Sequence, residues 1–134
     1  MITVQIQTSS SVEKVWEYWT NPIHILKWNT ASEDWHTTKA ENDLRIGGKF
    51  LSHMEAKDKS FGFDFTGVYT ALNPNQLIEY TMGDGRKAVI KFEIQNQKTM
   101  VTESFDAETE NSEDLQKAGW QAILNNFKNY VENN

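Results

Sequence analysis

The sequence predicts an α+β fold in which a long helix lies across an antiparallel sheet, and two observations predict it. Short segments of alternating apolar and polar residues fill the chain from about residue 32 to 105, and a long amphipathic segment follows them. The gaps between the short segments are brief, so consecutive strands are expected to pair antiparallel. The apolar pattern runs from end to end, so we expect residues 1–134 to form a single domain.

The N-terminal part predicts one strand and two short helices. Residues 2–6 alternate in the manner of a half-buried strand, and Ser10 and Glu13 have the spacing of a capping box. A helical stripe follows, made of Val12, Val15, Trp16 and Trp19. Asn21-Pro22 predicts the start of the second helix, because Asn caps helices and Pro suits their first position. That helix carries Ile23, Leu26 and Trp28.

Six strands are predicted in the middle of the chain. Their ranges are 33–43, 47–56, 61–72, 77–82, 87–95 and 99–106. The residues between them are typical of turns, for example Asn73-Pro74-Asn75 and Gly83-Asp84-Gly85. Gly47-Gly48 allows a positive φ or a bulge where a strand bends sharply, so this pair indicates a curled sheet.

The last predicted element is a helix over residues 112–132. Asn111 or Ser112 is expected to cap it. Its apolar stripe consists of Leu115, Ala118, Gly119, Ala122, Ile123, Phe127 and Tyr130, widened by Trp120, Leu124 and Val131. About 20 residues give a rod of about 30 Å, which is long enough to cross a sheet. We expect Gly119 to let the helix backbone approach the sheet, and Trp120 to close the gap beside it.

Composition excludes several classes of function. The 134 residues include no Cys, which removes disulfide scaffolds, thiolate zinc sites and thiol nucleophiles. A net charge of −6 without a basic block argues against a nucleic-acid partner. The N-terminus lacks the pattern of a signal peptide, and no segment has the roughly 18–20 apolar residues of a membrane span. We therefore expect a cytoplasmic protein with no membrane span.

The motifs of metal and cofactor sites are also missing. No two histidines have metal-ligand spacing, and no G-x-S-x-G nucleophile elbow is present. Neither G-x-G-x-x-G nor a Walker loop occurs. The sequence therefore predicts neither a metal site nor a cofactor.

The order of elements and several short motifs resemble the START/Bet v 1-like (SRPBCC) superfamily. The resemblance is to the branch related to the activator of Hsp90 ATPase, whose members are often labelled polyketide cyclase-like. It covers essentially the whole chain. The motifs that carry it are Val15-Trp16, Asn21-Pro22, Trp28, Asp43-Leu44-Arg45-Ile46-Gly47-Gly48, Met54-Glu55-Ala56-Lys57, Gly67-Val68-Tyr69, Tyr80-Thr81 and Gly119-Trp120.

This resemblance implies a helix-grip fold, in which a curved antiparallel sheet of order β-α-α-β6-α wraps round the long C-terminal helix. Folds of this kind commonly leave a cavity between sheet and helix. The chain departs from the family pattern at two turns, where it has Asp58-Lys59-Ser60 in place of Asp-Gly and Lys98-Thr99 in place of Gly-Thr. Both departures concern loop geometry.

The five Trp, four Tyr and seven Phe either fill a core or line a cavity, and the sequence leaves both readings open. Many of them alternate on one face of their strands. If those faces point toward the helix, they form a mostly apolar ligand site. The candidate ligand-binding residues are Trp28, Trp35, Phe50, Met54, Phe63, Phe65, Tyr69, Tyr80, Phe92, Trp120, Ile123 and Phe127.

Two residues are candidates for acid–base chemistry. Glu103 shares the apolar parity of its strand with Val101 and Phe105, and an unpaired carboxyl there would have a raised pKa. With the opposite parity, Met100 would face inward and Glu103 would face water. His36 follows Trp35 near the expected mouth, and a solvated strand histidine is the alternative interpretation.

Three functions remain open at this stage. The first is binding of a small hydrophobic molecule, aromatic or lipid-like. The second is an enzyme of the polyketide cyclase/dehydratase type, in which Glu103 or His36 moves protons. The third is a chaperone interaction, which the resemblance implies and which predicts an exposed apolar patch. A fold alone does not choose among them, and the oligomeric state, including a homodimer, stays open.

Overall fold

A computed structural model describes residues 1–134 and has the α+β helix-grip architecture expected from the sequence. The elements are β1 (Ile2–Thr8), α1 (Val12–Thr20), α2 (Pro22–Trp28), β2 (Trp35–Asn42), β3 (Lys49–Ala56), β4 (Gly62–Asn73), β5 (Leu77–Met82), β6 (Lys87–Gln95), β7 (Lys98–Phe105) and α3 (Glu113–Asn133). No helix has both the length and the apolar character needed to cross a membrane.

The seven strands form one antiparallel sheet in the order β1-β7-β6-β5-β4-β3-β2. The first strand thus pairs with the last, and this register sets Val4 opposite Glu103. Register shifts interrupt β2 between Thr37 and Lys39 and β4 between Tyr69 and Ala71. Such bulges bend a strand and increase its twist, which helps the sheet to curl into a half-barrel.

The N-terminal caps of α2 and α3 are those predicted from the sequence, but the cap of α1 is a different residue. Ser11, and not Ser10, caps α1 by accepting a hydrogen bond from the Lys14 backbone N–H at 3.3 Å. Ser10 is used elsewhere, because its hydroxyl donates to the carbonyl of Val131 near the end of α3. Asn21 caps α2 and Ser112 caps α3, as expected.

Helix α3 buries the C-terminal part of its apolar stripe and packs most closely on β1. Leu124, Phe127 and Val131 are fully buried. Leu115, which the stripe includes, is instead 60% exposed. The inward place in the first turn belongs to Gln116, because its amide hydrogen-bonds the backbone of the preceding loop at Glu108 and Asn111.

Gly119 does not have the role expected from the sequence. A Cβ atom there would meet nothing within 4 Å, so the helix backbone makes no close approach to the sheet at this point. The neighbouring Trp120 explains the gap, because its ring stacks on Phe105 with centroids 3.9 Å apart and fills the space between helix and strand.

The glycine pair before β3 does carry a backbone requirement. Gly47 has a φ of +82°, which L-residues other than Gly rarely adopt. At Gly48 the constraint is space, because an added Cβ would lie 2.1 Å from the carbonyl oxygen of Asp43. The tight turn is fixed to the sheet by the Gly47 N–H, which donates to the carbonyl of Tyr69 at 2.8 Å.

Alanine substitutions at Gly48 and Gly119 should therefore have opposite effects on stability. We expect Gly48→Ala to lower the free energy of unfolding by at least about 2 kcal/mol, because the backbone must shift to admit a methyl group. We expect Gly119→Ala to raise it by about 0.5–1 kcal/mol, because Ala is the better helix former. Urea unfolding followed by circular dichroism measures both. A destabilising Gly119→Ala would mean that helix and sheet do approach closely there.

Candidate functional site

A cavity of about 290 Å³ lies between the concave face of the sheet and the helices, and 18 residues line it. They come from every element except β1 and β6 and from two of the loops. The lining consists of Trp19, Ile25, Trp28, Asn29, Glu41, Asn42, Phe50, Ser52, Met54, Phe63, Phe65, Tyr69, Ile78, Tyr80, Arg86, Glu103, Trp120 and Ile123.

Aromatic rings on neighbouring strands form the floor of the cavity. Phe50 on β3 meets Tyr80 on β5 edge-to-face at 4.8 Å, across the strand between them. Phe50 can do so because it lies over Gly67 of β4, where a Cβ would be only 2.5 Å from the ring. Phe65 on β4 reaches the roof, since its ring is 6.2 Å from that of Trp120 on α3. The rings therefore contact one another around the open space and fix its outline.

The helices at the N-terminal end supply one wall. Trp19 on α1 and Trp28 on α2 have ring centroids 4.8 Å apart. Trp28 is held by its indole N–H, which donates to the carbonyl of Tyr18 at 3.0 Å. The sequence indicated Trp19 only as part of a helical stripe, because helical spacing shows which side of a helix is buried and not whether that side meets a neighbour or a void.

Most of the predicted ligand-binding residues line this cavity, and their contact with a ligand stays a prediction. Those that line it are Trp28, Phe50, Met54, Phe63, Phe65, Tyr69, Tyr80, Trp120 and Ile123. Phe92 and Phe127 do not, because they form a layer behind Trp19 and contact its ring edge-on at 5.9 Å and 4.9 Å. Trp35 lies outside as well, at the rim, where its ring is 6.0 Å from that of Phe61.

An apolar rim surrounds the entrance. Phe61 is 64% exposed, and Phe63 and Leu115 are exposed beside Trp35. Trp35 and Leu115 line a shallow groove on this surface. The groove shares Phe63 and Trp120 with the cavity, so the two spaces adjoin each other.

Glu103 is the most unusual group in the cavity. Its side chain points inward on β7, between the fully buried Val101 and Phe105, and the residue is 5% exposed. Of the two parities considered for this strand, the structure therefore has the one that buries Glu103. The carboxyl makes no hydrogen bond to another protein group, and burial alone raises its pKa from 4.5 to about 8. At neutral pH it is mostly a neutral carboxylic acid.

The other polar groups differ in how fully they are already bound. The Tyr69 hydroxyl donates to Asn42 Oδ1 at 2.5 Å, and the Asn42 amide donates to the carbonyl of Thr20 at 2.7 Å. Burial raises the pKa of Tyr69 to about 12. Arg86 is held by Asp84, with Nε 2.7 Å from the carboxylate, and also donates to the carbonyl of Asp106. These groups shape the site, and each of them already has a partner within the protein.

The sequence carried a signal for only some of the polar lining. Ser52 lies between Phe50 and Met54 on the inward parity of β3, so the alternation could have identified it. Arg86 enters from the turn before β6, and Asn42 ends β2. Neither position belongs to an alternating pattern, so neither could be found in that way.

His36 is not part of the cavity. Its side chain is half exposed, and Nε2 is 3.4 Å from Glu55. The structure therefore does not bring the two acid–base candidates, Glu103 and His36, together. No cluster of His, Asp and Glu side chains is arranged to hold a metal ion.

Comparison with known proteins relates this geometry to a family. The sequence model described as "Activator of Hsp90 ATPase homolog 1-like protein" matches residues 9–132. A search of curated proteins finds no match.

Solved structures show the same fold over nearly the whole chain. The solution structure of the AHSA1-like protein of Aeromonas hydrophila is 45% identical, with a TM-score of 0.89, over 98% of this chain and 92% of that one. A protein of Cytophaga hutchinsonii is 53% identical, with a TM-score of 0.86 and the same coverage. A protein of Chromobacterium violaceum, at 22% identity and a TM-score of 0.84 over 97% of each chain, shares the fold.

The buried carboxyl should make the protein less stable as the pH rises. Unfolding returns the pKa of Glu103 from about 8 to 4.5, so between these pH values the unfolded state has already lost the proton that the folded state keeps. At about 1.4 kcal/mol per pKa unit, this cost reaches about 5 kcal/mol above pH 8 and vanishes below pH 4. We expect Glu103→Gln to remove it.

The measurement is the free energy of unfolding of wild type and Glu103→Gln, in urea, from pH 5 to 9. The difference between them should grow with pH in favour of the variant. Glu93→Gln, an exposed position on β6, is the matched control and should track the wild type. Parallel curves for Glu103→Gln and wild type would contradict the burial of an unpaired carboxyl.

Proposed function

Because this chain belongs to the family of activator of Hsp90 ATPase homolog 1-like proteins, whose members have a START-like ligand-binding domain, we propose that it binds a small, mostly apolar molecule, aromatic or lipid-like. The site is the cavity between the curved sheet and α3. The observation that carries the proposal is an open space ringed by aromatic side chains where a solid core would otherwise lie.

The volume of the cavity limits the size of the ligand. Ligand pockets commonly measure about 300–1,000 Å³, and an apolar cavity of about 150 Å³ is enough to hold benzene. At about 290 Å³, the cavity fits a molecule with one or two rings or a short chain.

The lining favours an apolar ligand with a single polar end. Twelve of the 18 lining residues are hydrophobic, which is the composition of sites that bind by burial of apolar surface. The polar residues are few, and Tyr69, Asn42 and Arg86 already bind protein atoms. We therefore expect apolar burial to supply most of the binding free energy, and the polar residues to influence mainly the orientation of the ligand.

An enzyme of the polyketide cyclase/dehydratase type is the second candidate, and the buried Glu103 carboxyl is the observation that favours it. A carboxyl with a pKa of about 8 can give or take a proton near neutral pH. Binding ranks first because His36, the other expected acid–base group, lies outside the cavity. A Hsp90-activator-like interaction ranks third, supported by the exposed apolar rim.

Filling the cavity should weaken binding while leaving the fold intact. Ser52 is buried and faces the cavity, so we expect Ser52→Leu to weaken binding of propylbenzene at least about tenfold by occupying its space. Ser104→Leu makes the same change on the outer face of β7 and is the matched control. Dissociation constants come from NMR titration of the labelled protein, which also shows which lining residues shift.

Equal affinity of Ser52→Leu and wild type, or shifts confined to the outer surface, would contradict the proposed site. Stimulation of a chaperone ATPase that survives Ser52→Leu but is lost on Phe61→Ser would favour the interaction function. Turnover of a polyketide-like substrate that is lost on Glu103→Gln would favour the enzyme.

A further inference from the structure

Glu103 and Tyr80 are the two titratable groups of the cavity whose side chains make neither a hydrogen bond nor an ion pair within the protein. Glu103 is 5% exposed and Tyr80 is 7% exposed, and both line the same space. Neither side chain makes a hydrogen bond to another protein group, whereas the Tyr69 hydroxyl and the Arg86 guanidinium do. A buried polar group without a partner is costly, so a pair of them on one wall indicates a partner outside the chain.

The sheet places the two side chains on the same face, with one strand between them. Glu103 on β7 pairs with Ile90 on β6, which pairs with Ile78 on β5, and Tyr80 is two residues further along the same face. The residue that lies beside Tyr80 on β6 is the small Ala88. The charge of Glu103 is also one of the causes that raise the pKa of Tyr80, so the two groups are within electrostatic reach.

Both groups keep their protons at neutral pH, because burial raises the pKa of each. The other titratable groups in the lining are Tyr69, Glu41 and Arg86. The helices contribute only Trp19, Ile25, Trp28, Trp120 and Ile123 to it. The wall thus presents two O–H donors, and Arg86 is the only cation in the lining, held by Asp84.

We propose that Glu103 and Tyr80 together donate hydrogen bonds to one carbonyl oxygen of the bound molecule. The ligand is then an apolar ketone or similar carbonyl compound, oriented with its oxygen toward β5 and β7 and its hydrocarbon part toward the aromatic rings. This inference rests on the proposed function and adds the ligand's polar group to it. Two donors on one oxygen fix its position more strictly than either donor alone.

A cationic ligand is the competing interpretation of a buried carboxyl among aromatic rings. The presence of the Arg86 guanidinium in the lining favours an oxygen acceptor, because it would repel an ammonium group. The two alternatives respond to pH in opposite directions. Ionisation of Glu103 removes the O–H that would donate to a carbonyl oxygen, so it weakens binding of a carbonyl compound. The same ionisation creates a carboxylate that would pair with an ammonium group, so it strengthens binding of an amine.

Three probes of matched shape separate these possibilities. They are propiophenone, propylbenzene, which lacks the carbonyl oxygen, and 1-phenylpropylamine, which carries a cation. Their dissociation constants are measured on the full chain by NMR titration at pH 6, 7 and 9. We expect propiophenone to bind at least about tenfold more tightly than propylbenzene at pH 6 and 7, and this preference to shrink at pH 9.

Variants of Glu103 and Tyr80 test whether these two residues cause the preference for propiophenone over propylbenzene. Tyr80→Phe and Glu103→Leu should each reduce the propiophenone preference severalfold while retaining propylbenzene binding, which shows that the variant is folded. Glu103→Gln retains an N–H donor, so it should keep the preference and make it independent of pH between 6 and 9.

Equal affinity for propiophenone and propylbenzene would overturn this inference and leave the proposed function intact. A preference for the amine that increases from pH 6 to 9 would overturn it in favour of a cation. Tyr80→Phe and Glu103→Leu proteins that keep the full carbonyl preference would also overturn it. If none of the three probes binds, the proposed function fails and this inference fails with it.

Discussion

The structure depends on one constraint, namely that a single long helix must cover the concave face of a seven-stranded sheet. Helix α3 packs most closely on β1 and buries Leu124, Phe127 and Val131 completely. The sheet curls toward β3 to β5. The Trp120 ring lies between α3 and β7, where it stacks on Phe105 and keeps the helix backbone away from the strand. The helix cannot fill both ends of such a surface, so the space over β3 to β5 stays open and aromatic side chains line it.

The elements of the fold were predictable from the sequence because each has a strong local signal. Period-two alternation and turn residues predicted the strands to within about two residues, and the caps at Asn21 and Ser112 predicted two helix starts. The misses have tertiary causes. Ser10 contacts Val131, far away along the chain, and Gln116 takes the inward place expected of Leu115 because it satisfies loop backbone groups.

The sequence could predict which side chains face the helix, but not which of them border an open space. Alternation shows which face a residue occupies, and it placed Phe50, Phe65 and Tyr80 correctly on the concave face. It does not show whether that face meets a void or another side chain, which is why Phe92 was expected in the cavity and instead packs behind Trp19. For Glu103, only the pairing of β7 with β1 and β6 decided between two parities that the sequence allowed equally.

The contact between Phe50 and Gly67 has a consequence for selectivity. The Phe50 ring occupies the notch that a missing side chain leaves in β4, and an added Cβ would be 2.5 Å from that ring. Any larger residue at position 67 would drive the ring upward into the open space. The absence of a side chain at position 67 therefore sets the depth of the cavity at the Phe50 ring. A substitution at this position in a family member would change the size of the molecules that the cavity admits, although residue 67 itself does not line the cavity.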